Sequence, residues 1–170
     1  MYGVLFLLPL SWQRMGVLDA TGAGLAFLPM SLAFVALSHR SGPWSRRFGA
    51  RRLMVGGMAL IGAGIGVLAF SHAGQSLWLA EVGLFLTGVG MALNTGPVLA
   101  TAVAAVEPTR AGTASAMVNT ARMAGATLGV GVLGHVFAAG SSVFAGFSAA
   151  MALGGVVVGI GALPAIFASR

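Results

Sequence analysis

The chain is 170 residues long, with 58% hydrophobic residues, 7% charged residues and a mean hydropathy of +0.96, a balance that excludes a soluble globular domain. Its 27 glycines follow no three-residue period, which excludes collagen, and the absence of cysteine excludes a disulfide framework or a thiolate metal or redox site. The formal charge of +6 does not mark a nucleic-acid binder either, because five of the nine arginines, Arg40, Arg46, Arg47, Arg51 and Arg52, share one short segment between two apolar runs. That placement is the signature of a cytoplasmic loop under the positive-inside rule.

Crossing about 30 Å of hydrocarbon takes roughly 20 mainly apolar residues. First in chain order is residues 1–13, apolar but short; as a helix they reach only about 20 Å. No basic region precedes their apolar stretch, as a cleaved signal peptide would require. The segment therefore reads as a truncated first helix, the outer end of a span whose beginning is missing. Five runs of full length follow, at approximately residues 20–39, 53–71, 77–106, 111–139 and 143–169. The expected fold class is an all-α integral membrane protein with five complete transmembrane helices plus the truncated one. Placing residues 40–52 in the cytoplasm also puts Arg110 and Arg170 inside and leaves Arg14 and Asp19 outside. Trp12, Trp44 and Trp78 fall near span ends, where indole rings favour the headgroup layer.

Lipid tails are as apolar as leucine, so close approach at small residues must do much of the work of helix association. The second full span offers Gly62, Gly64 and Gly66, and the third offers Gly83, Gly88 and Gly90. Gly125 with Gly129, and Gly155 with Gly159, have GxxxG spacing and read as packing faces in the last two spans. Residues 129–134 also fit the GxGxxG dinucleotide fingerprint, but no Asp or Glu follows Glu107 to take a ribose, and no strand precedes the match.

Ionisable groups at bilayer depth are functional candidates, and Arg122 is the main one. It lies 11 residues after Ala111, about 17 Å along a helix and so near mid-membrane. Ser115, Asn119 and Arg122, at i, i+4 and i+7, form one polar stripe, expected to face a cavity or another helix. The alternative is that Arg122 satisfies carbonyls at a helix break or snorkels toward the cytoplasm. Asp19, Glu81 and Glu107 all lie near span ends, so the chain offers Arg122 no mid-membrane counter-charge. Asn94, Thr95 and Pro97 interrupt the third full span, and Pro97 removes a backbone hydrogen bond and predicts a kink. Pro29 and Pro164 read as structural bends, and His72 and His135 as interface histidines at outer ends.

Catalysis is not expected. Ser115 and His135 are 20 positions apart on one predicted helix, about 30 Å and far beyond hydrogen-bond reach. The single aspartate rules out an aspartyl dyad, and the three histidines lack metal-ligand spacing, so no metal site is expected.

The segment Gly42-Pro43-Trp44-Ser45-Arg46-Arg47-Phe48-Gly49-Ala50-Arg51-Arg52-Leu53 resembles the G-x-L-A-D-R-x-G-x-R-R loop motif of the major facilitator superfamily. Glu107-Pro108-Thr109-Arg110-Ala111-Gly112-Thr113-Ala114-Ser115, followed by Asn119-Thr120-Ala121-Arg122 and Gly125-Ala126-Thr127-Leu128-Gly129, is similar to the penultimate helix of the fourteen-helix multidrug:proton antiporters. Gly24-Leu25-Ala26-Phe27-Leu28-Pro29 also resembles that branch. The resemblance implies the C-terminal six-helix bundle of that fold. It implies a multi-pass protein of the inner (plasma) membrane that exports drugs or small metabolites when joined to an N-terminal half. The proton gradient would be the energy source, with no cofactor. The expected partners are the lipid bilayer, a small-molecule substrate, and the missing N-terminal half or a second subunit. Gly42, Arg46, Arg47, Gly49, Arg51 and Arg52 would form the cytoplasmic loop motif, and Asn94, Pro97, Ser115, Asn119 and Arg122 the cavity or gate. Arg46 departs from the pattern by standing where the motif has an acid. That acid is expected beside the positive N-terminus of the penultimate helix, so a weakened cytoplasmic gate is predicted. The rival expectation is a small self-associating membrane protein with a structural or accessory role.

Overall fold

A computed structural model describes residues 2–70 and 77–167, the last six by backbone alone. His72 and Arg170 lie outside the described residues. Among the described residues seven α-helices follow one another: α1 (Tyr2–Arg14), α2 (Ala20–Ala26), α3 (Leu28–Phe48), α4 (Ala50–Phe70), α5 (Leu77–Ala104), α6 (Ala111–Ala138) and α7 (Val143–Phe167). A 3-10 turn at Pro108–Arg110 leads into α6, and no strand occurs among the described residues. Among the described residues, five segments are long and apolar enough to cross a bilayer: Ala20–Phe48, Ala50–Phe70, Leu77–Ala104, Pro108–Ala138 and Val143–Gly161.

Local chemistry explains several boundaries. Asp19 caps α2, its Oδ1 accepting from the Gly22 N–H at 2.7 Å, which offsets one of the orphan donors of a helix start. The first full span then breaks at Phe27, whose N–H tightens onto the Gly24 and Leu25 carbonyls. Pro29, with no N–H to give, sits in the first turn of α3, where that loss costs nothing.

The arginine-rich segment differs from its expected form. Residues 40–52 are not a loop: α3 runs to Phe48, Gly49 alone reverses the chain, and α4 starts at Ala50. Gly49 has φ +90°, which favours glycine over any residue with a Cβ. The helix persists because arginine is a good helix former and because Arg46 and Arg47, in the last turn of α3, complement its dipole. Hydrophobicity marks where lipid ends, not where the helix ends.

The core draws on all seven helices, with Leu7, Leu8, Ile65, Leu68, Leu84, Phe147 and Met151 fully buried and Met30 of α3 and Leu133 and Phe137 of α6 joining them. Trp12 belongs to it, only 1% exposed with its ring tilted against Phe27 at 6.3 Å. Trp12 sits near the end of α1, as expected, but its indole faces inward, with the chain beyond α1 folded over it. Trp78, 73% exposed, stays at the outside of its helix.

α5 lies along both α3 and α4, and α4 also packs on α7. Two glycine pairs set the α4–α5 approach. A Cβ on Gly57 would stand 2.7 Å from the Gly90 carbonyl, and one on Gly64 would stand 2.6 Å from the Gly83 carbonyl. The reciprocal substitutions at Gly83 and Gly90 would meet Gly64 O at 2.8 Å and Gly57 O at 2.5 Å. Pairing 57 with 90 and 64 with 83 makes the helices antiparallel in one register, backbone against backbone. The GxxxG expectation fails by comparison. Gly125, Gly129 and Gly159 have nothing within 4 Å of a built Cβ, and Gly155 meets only Ile65 at 4.0 Å. Spacing identifies a smooth helix face but not whether a neighbour lies against it.

Candidate functional site

α6 is the least buried of the long helices, with only Ala114, Leu133 and Phe137 buried among its described side chains. Where its middle passes α5, a cavity of about 250 Å³ opens. Its polar lining is Asn94 and Thr95 from α5, Asn119 and Arg122 from α6, and Tyr2 from α1; Met58, Ile61, Met91 and Val118 supply apolar wall.

The structure therefore brings together Asn94, Asn119 and Arg122. The i, i+3 spacing of Asn119 and Arg122 puts both on the α6 face toward α5. Asn94 reaches them because Gly57 lets α5 close in: a Cβ at Gly57 would lie 3.2 Å from that of Asn94. Asn94 is half-buried, and its Oδ1 is buried with no hydrogen-bond partner among the described residues. Thr95 donates to the Met91 carbonyl at 2.9 Å, so its hydroxyl proton is used within the helix.

Two other candidates stand apart. Ser115 is half-buried and does not line the cavity, one turn further down α6. Pro97 is buried in α5, which remains helical across it from Leu77 to Ala104. Its missing N–H deprives the Leu93 carbonyl of the usual i+4 donor. Thr101 donates to the Pro97 carbonyl itself at 2.8 Å. Pro97 lies behind the cavity wall, next to its lining residue Val98.

Tyr2 is the residue that sequence reasoning missed. The Arg122 guanidinium donates to its hydroxyl across the α1–α6 contact at 3.4 Å, a long bond to a neutral acceptor. A signal was present. Tyr2 is the chain's one tyrosine and lies 12 residues before Arg14, about 18 Å along the helix, so it reaches the depth estimated for Arg122.

The residues gathered here form neither a nucleophile–base pair nor a metal cluster among the described residues. Ser115 and His135 lie on one unbroken α6 and cannot meet. No group of three or more His, Cys, Asp or Glu that could hold a metal occurs among the described residues. What remains is a cation, two amides and a phenol above an apolar floor.

The sequence profile of the Major Facilitator Superfamily matches residues 1–170. The chain belongs to the major facilitator superfamily. It is 37% identical over 138 residues to the multidrug resistance protein Stp of Mycobacterium tuberculosis, covering 81% of this chain and 26% of that protein. It is 33% identical over 147 residues to the cephamycin export protein CmcT of Amycolatopsis lactamdurans, covering 82% of this chain and 29% of that one. With the puromycin resistance protein pur8 of Streptomyces alboniger the identity is 32% over 136 residues, 75% of this chain and 26% of the relative. The chain thus spans about a quarter of the length of the curated relatives it matches. No solved structure matches.

Membership of this superfamily, with five membrane-length helices among the described residues, makes the chain a multi-pass membrane protein of a transporter family. The residues of the superfamily's loop motif lie apart from the cavity, at the α3–α4 corner. Arg46, Arg47, Arg51 and Arg52 are exposed there, the Arg47 guanidinium 5.5 Å from the Phe48 ring. A Cβ on Gly42 would meet nothing within 4 Å, whereas one on Gly96 of α5 would meet Ser41 Oγ at 2.5 Å. α3 and α5 therefore touch at Ser41 and Gly96, just inside that corner.

Proposed function

We propose that this bundle is the C-terminal half of an efflux transporter that exports drugs or small metabolites by proton antiport once joined to an N-terminal half. The observation that carries the reading is the cavity beside α6, where Asn94, Asn119, Arg122 and Tyr2 meet at mid-span in an otherwise apolar bundle. Polar groups at that depth are costly in lipid and suit a substrate path. The names of relatives concerned with multidrug resistance, cephamycin export and puromycin resistance favour the same reading. In this reading the proton gradient is the energy source and no cofactor is needed. The coupling carboxylates belong to the other half, since no acidic side chain lines the cavity among the described residues. The protein resides in the inner membrane with the α3–α4 corner in the cytoplasm, because four arginines cluster there and Arg110 falls at the same end of the bundle.

The test is proton-driven efflux of a panel of fluorescent drugs in inverted vesicles, with this chain alone and with a matching N-terminal half. Uptake only with the partner is expected. A second reading, a self-associating membrane protein, is favoured by the open faces at Gly125, Gly129 and Gly159. Transport by the chain alone would require a symmetric dimer and overturn the half-transporter reading. Silence in both, with insertion confirmed, would favour an accessory role.

A further inference from the structure

The cavity at Arg122 is electrostatically one-sided. Arg122 is the one cation in its lining, and no acid lines it among the described residues. Asp19 is occupied in capping α2, while Glu81 lies in the first turns of α5 and Glu107 precedes the 3-10 turn. A guanidinium has five N–H donors in a planar fork, and this one donates to a phenol hydroxyl at 3.4 Å. At bilayer depth such a cation remains costly until an anion arrives. Asn94 adds a second unmet demand in the same cavity, because its Oδ1 is buried without a partner. That amide gains a hydrogen bond by turning its oxygen toward any donor a ligand presents.

Resting on the transporter reading, we propose that this cavity takes a small amphiphilic organic anion. Its carboxylate or sulfonate oxygens accept from the Arg122 fork, and the Tyr2 hydroxyl donates to the same group. An N–H or O–H of the ligand beside the anion bonds to Asn94 Oδ1, and the hydrocarbon part lies against Met58, Ile61 and Met91. Planar carboxylates match the guanidinium fork with two parallel bonds. A lipid phosphate shares this chemistry, so the bilayer composition has to separate the two sources.

Three dyes with one fluorophore make the test: dansylglycine, which carries a carboxylate and a sulfonamide N–H, neutral dansylamide, and cationic dansylcadaverine. Their equilibrium binding to the full chain is measured in phosphatidylcholine nanodiscs. Dansylglycine is expected to bind about tenfold tighter than dansylcadaverine. Arg122→Gln should remove that preference while leaving dansylamide within about twofold, and Asn94→Leu should weaken dansylglycine a few-fold. Arg122→Lys, which keeps the charge, should keep the preference and so guards against loss through misfolding. Equal or tighter binding of dansylcadaverine, or an unchanged preference in Arg122→Gln, would overturn the proposal. Loss of dansylglycine binding when phosphatidylglycerol replaces phosphatidylcholine would assign the anion to a headgroup and overturn the substrate reading of the site. Absent efflux with an intact dansylglycine preference would sink the transporter reading alone. Efflux of drugs without any anion preference would sink the anion site alone.

Discussion

Arg46 lies in the dipole of its own helix, and the gate expected from the loop motif would add a second, that of α6; only the second bears on gating. The residue sits in the last turn of α3, where a cation is favoured by about 0.3–1 kcal/mol. Arg46→Asp forfeits that in every state of the transporter, so this term cancels from the conformational equilibrium. The term that does not cancel is attraction of the new carboxylate to the N-terminus of α6, present only when the cytoplasmic side is closed. At about 1 kcal/mol this is roughly a fivefold shift toward the outward-facing state. The measurement is reactivity of a cavity cysteine from the cytoplasmic side in a complete transporter, which should fall, and an unchanged rate would sink the gate argument. The chain's lack of cysteine leaves the background clean. Asp19 offers a simpler case, since Asp19→Ala removes the cap of α2 and should cost about 1 kcal/mol in thermal or denaturant unfolding. Residue chemistry was legible where a polar group interrupts a long apolar run. Arg122 and Asn119 were found from their depth and spacing, and Asn94 from its polarity. Tyr2 was missed because an aromatic at the start of a short apolar run carries no periodic signal.

Between elements, the strongest constraint is the register of α4 on α5, and it contrasts two glycines two positions apart. A Cβ on Gly64 would press on the Gly83 carbonyl at 2.6 Å, whereas one on Gly66 meets nothing within 4 Å. Gly64→Ala therefore forces two backbones apart and should cost about 1–3 kcal/mol. Gly66→Ala should be neutral or stabilising by up to about 1 kcal/mol, since alanine is the better helix former. Unfolding in detergent, monitored by helical circular dichroism, checks the pair, and equal effects would contradict the register. Sequence composition announced glycine-mediated packing but could not choose the participating glycines, because a helix has many smooth faces and only the partner selects one. The helical corner at residues 40–52 was misread for a related reason. Arginine ends the hydrocarbon without ending the helix, and the reversal is made by Gly49 alone. Trp12 shows the same limit, its headgroup preference giving way to burial against Phe27 once other helices are in place.

Across the whole molecule, charge and helix number together support the orientation proposed above. α3 and α4 meet at one end, α4 and α5 connect at the other, and α5 returns to the first end before α6 begins. Arg46, Arg47, Arg51, Arg52 and Arg110 therefore share an end, while Arg14 and Asp19 share the opposite one. Near an anionic leaflet each arginine contributes about 1 kcal/mol, so the five at the first end favour the cytoplasmic side by about 5 kcal/mol. That sum decides against Arg14, the single arginine at the opposite end. Single cysteines test it directly: Ser45→Cys should react with an impermeant maleimide only in inverted vesicles, and Thr21→Cys only in intact cells. The reverse pattern would invert the bundle and move the α3–α4 corner outside. A mixed pattern would mean that the arginine cluster alone does not set topology, and that in relatives about three times as long as this chain other segments take part in setting it.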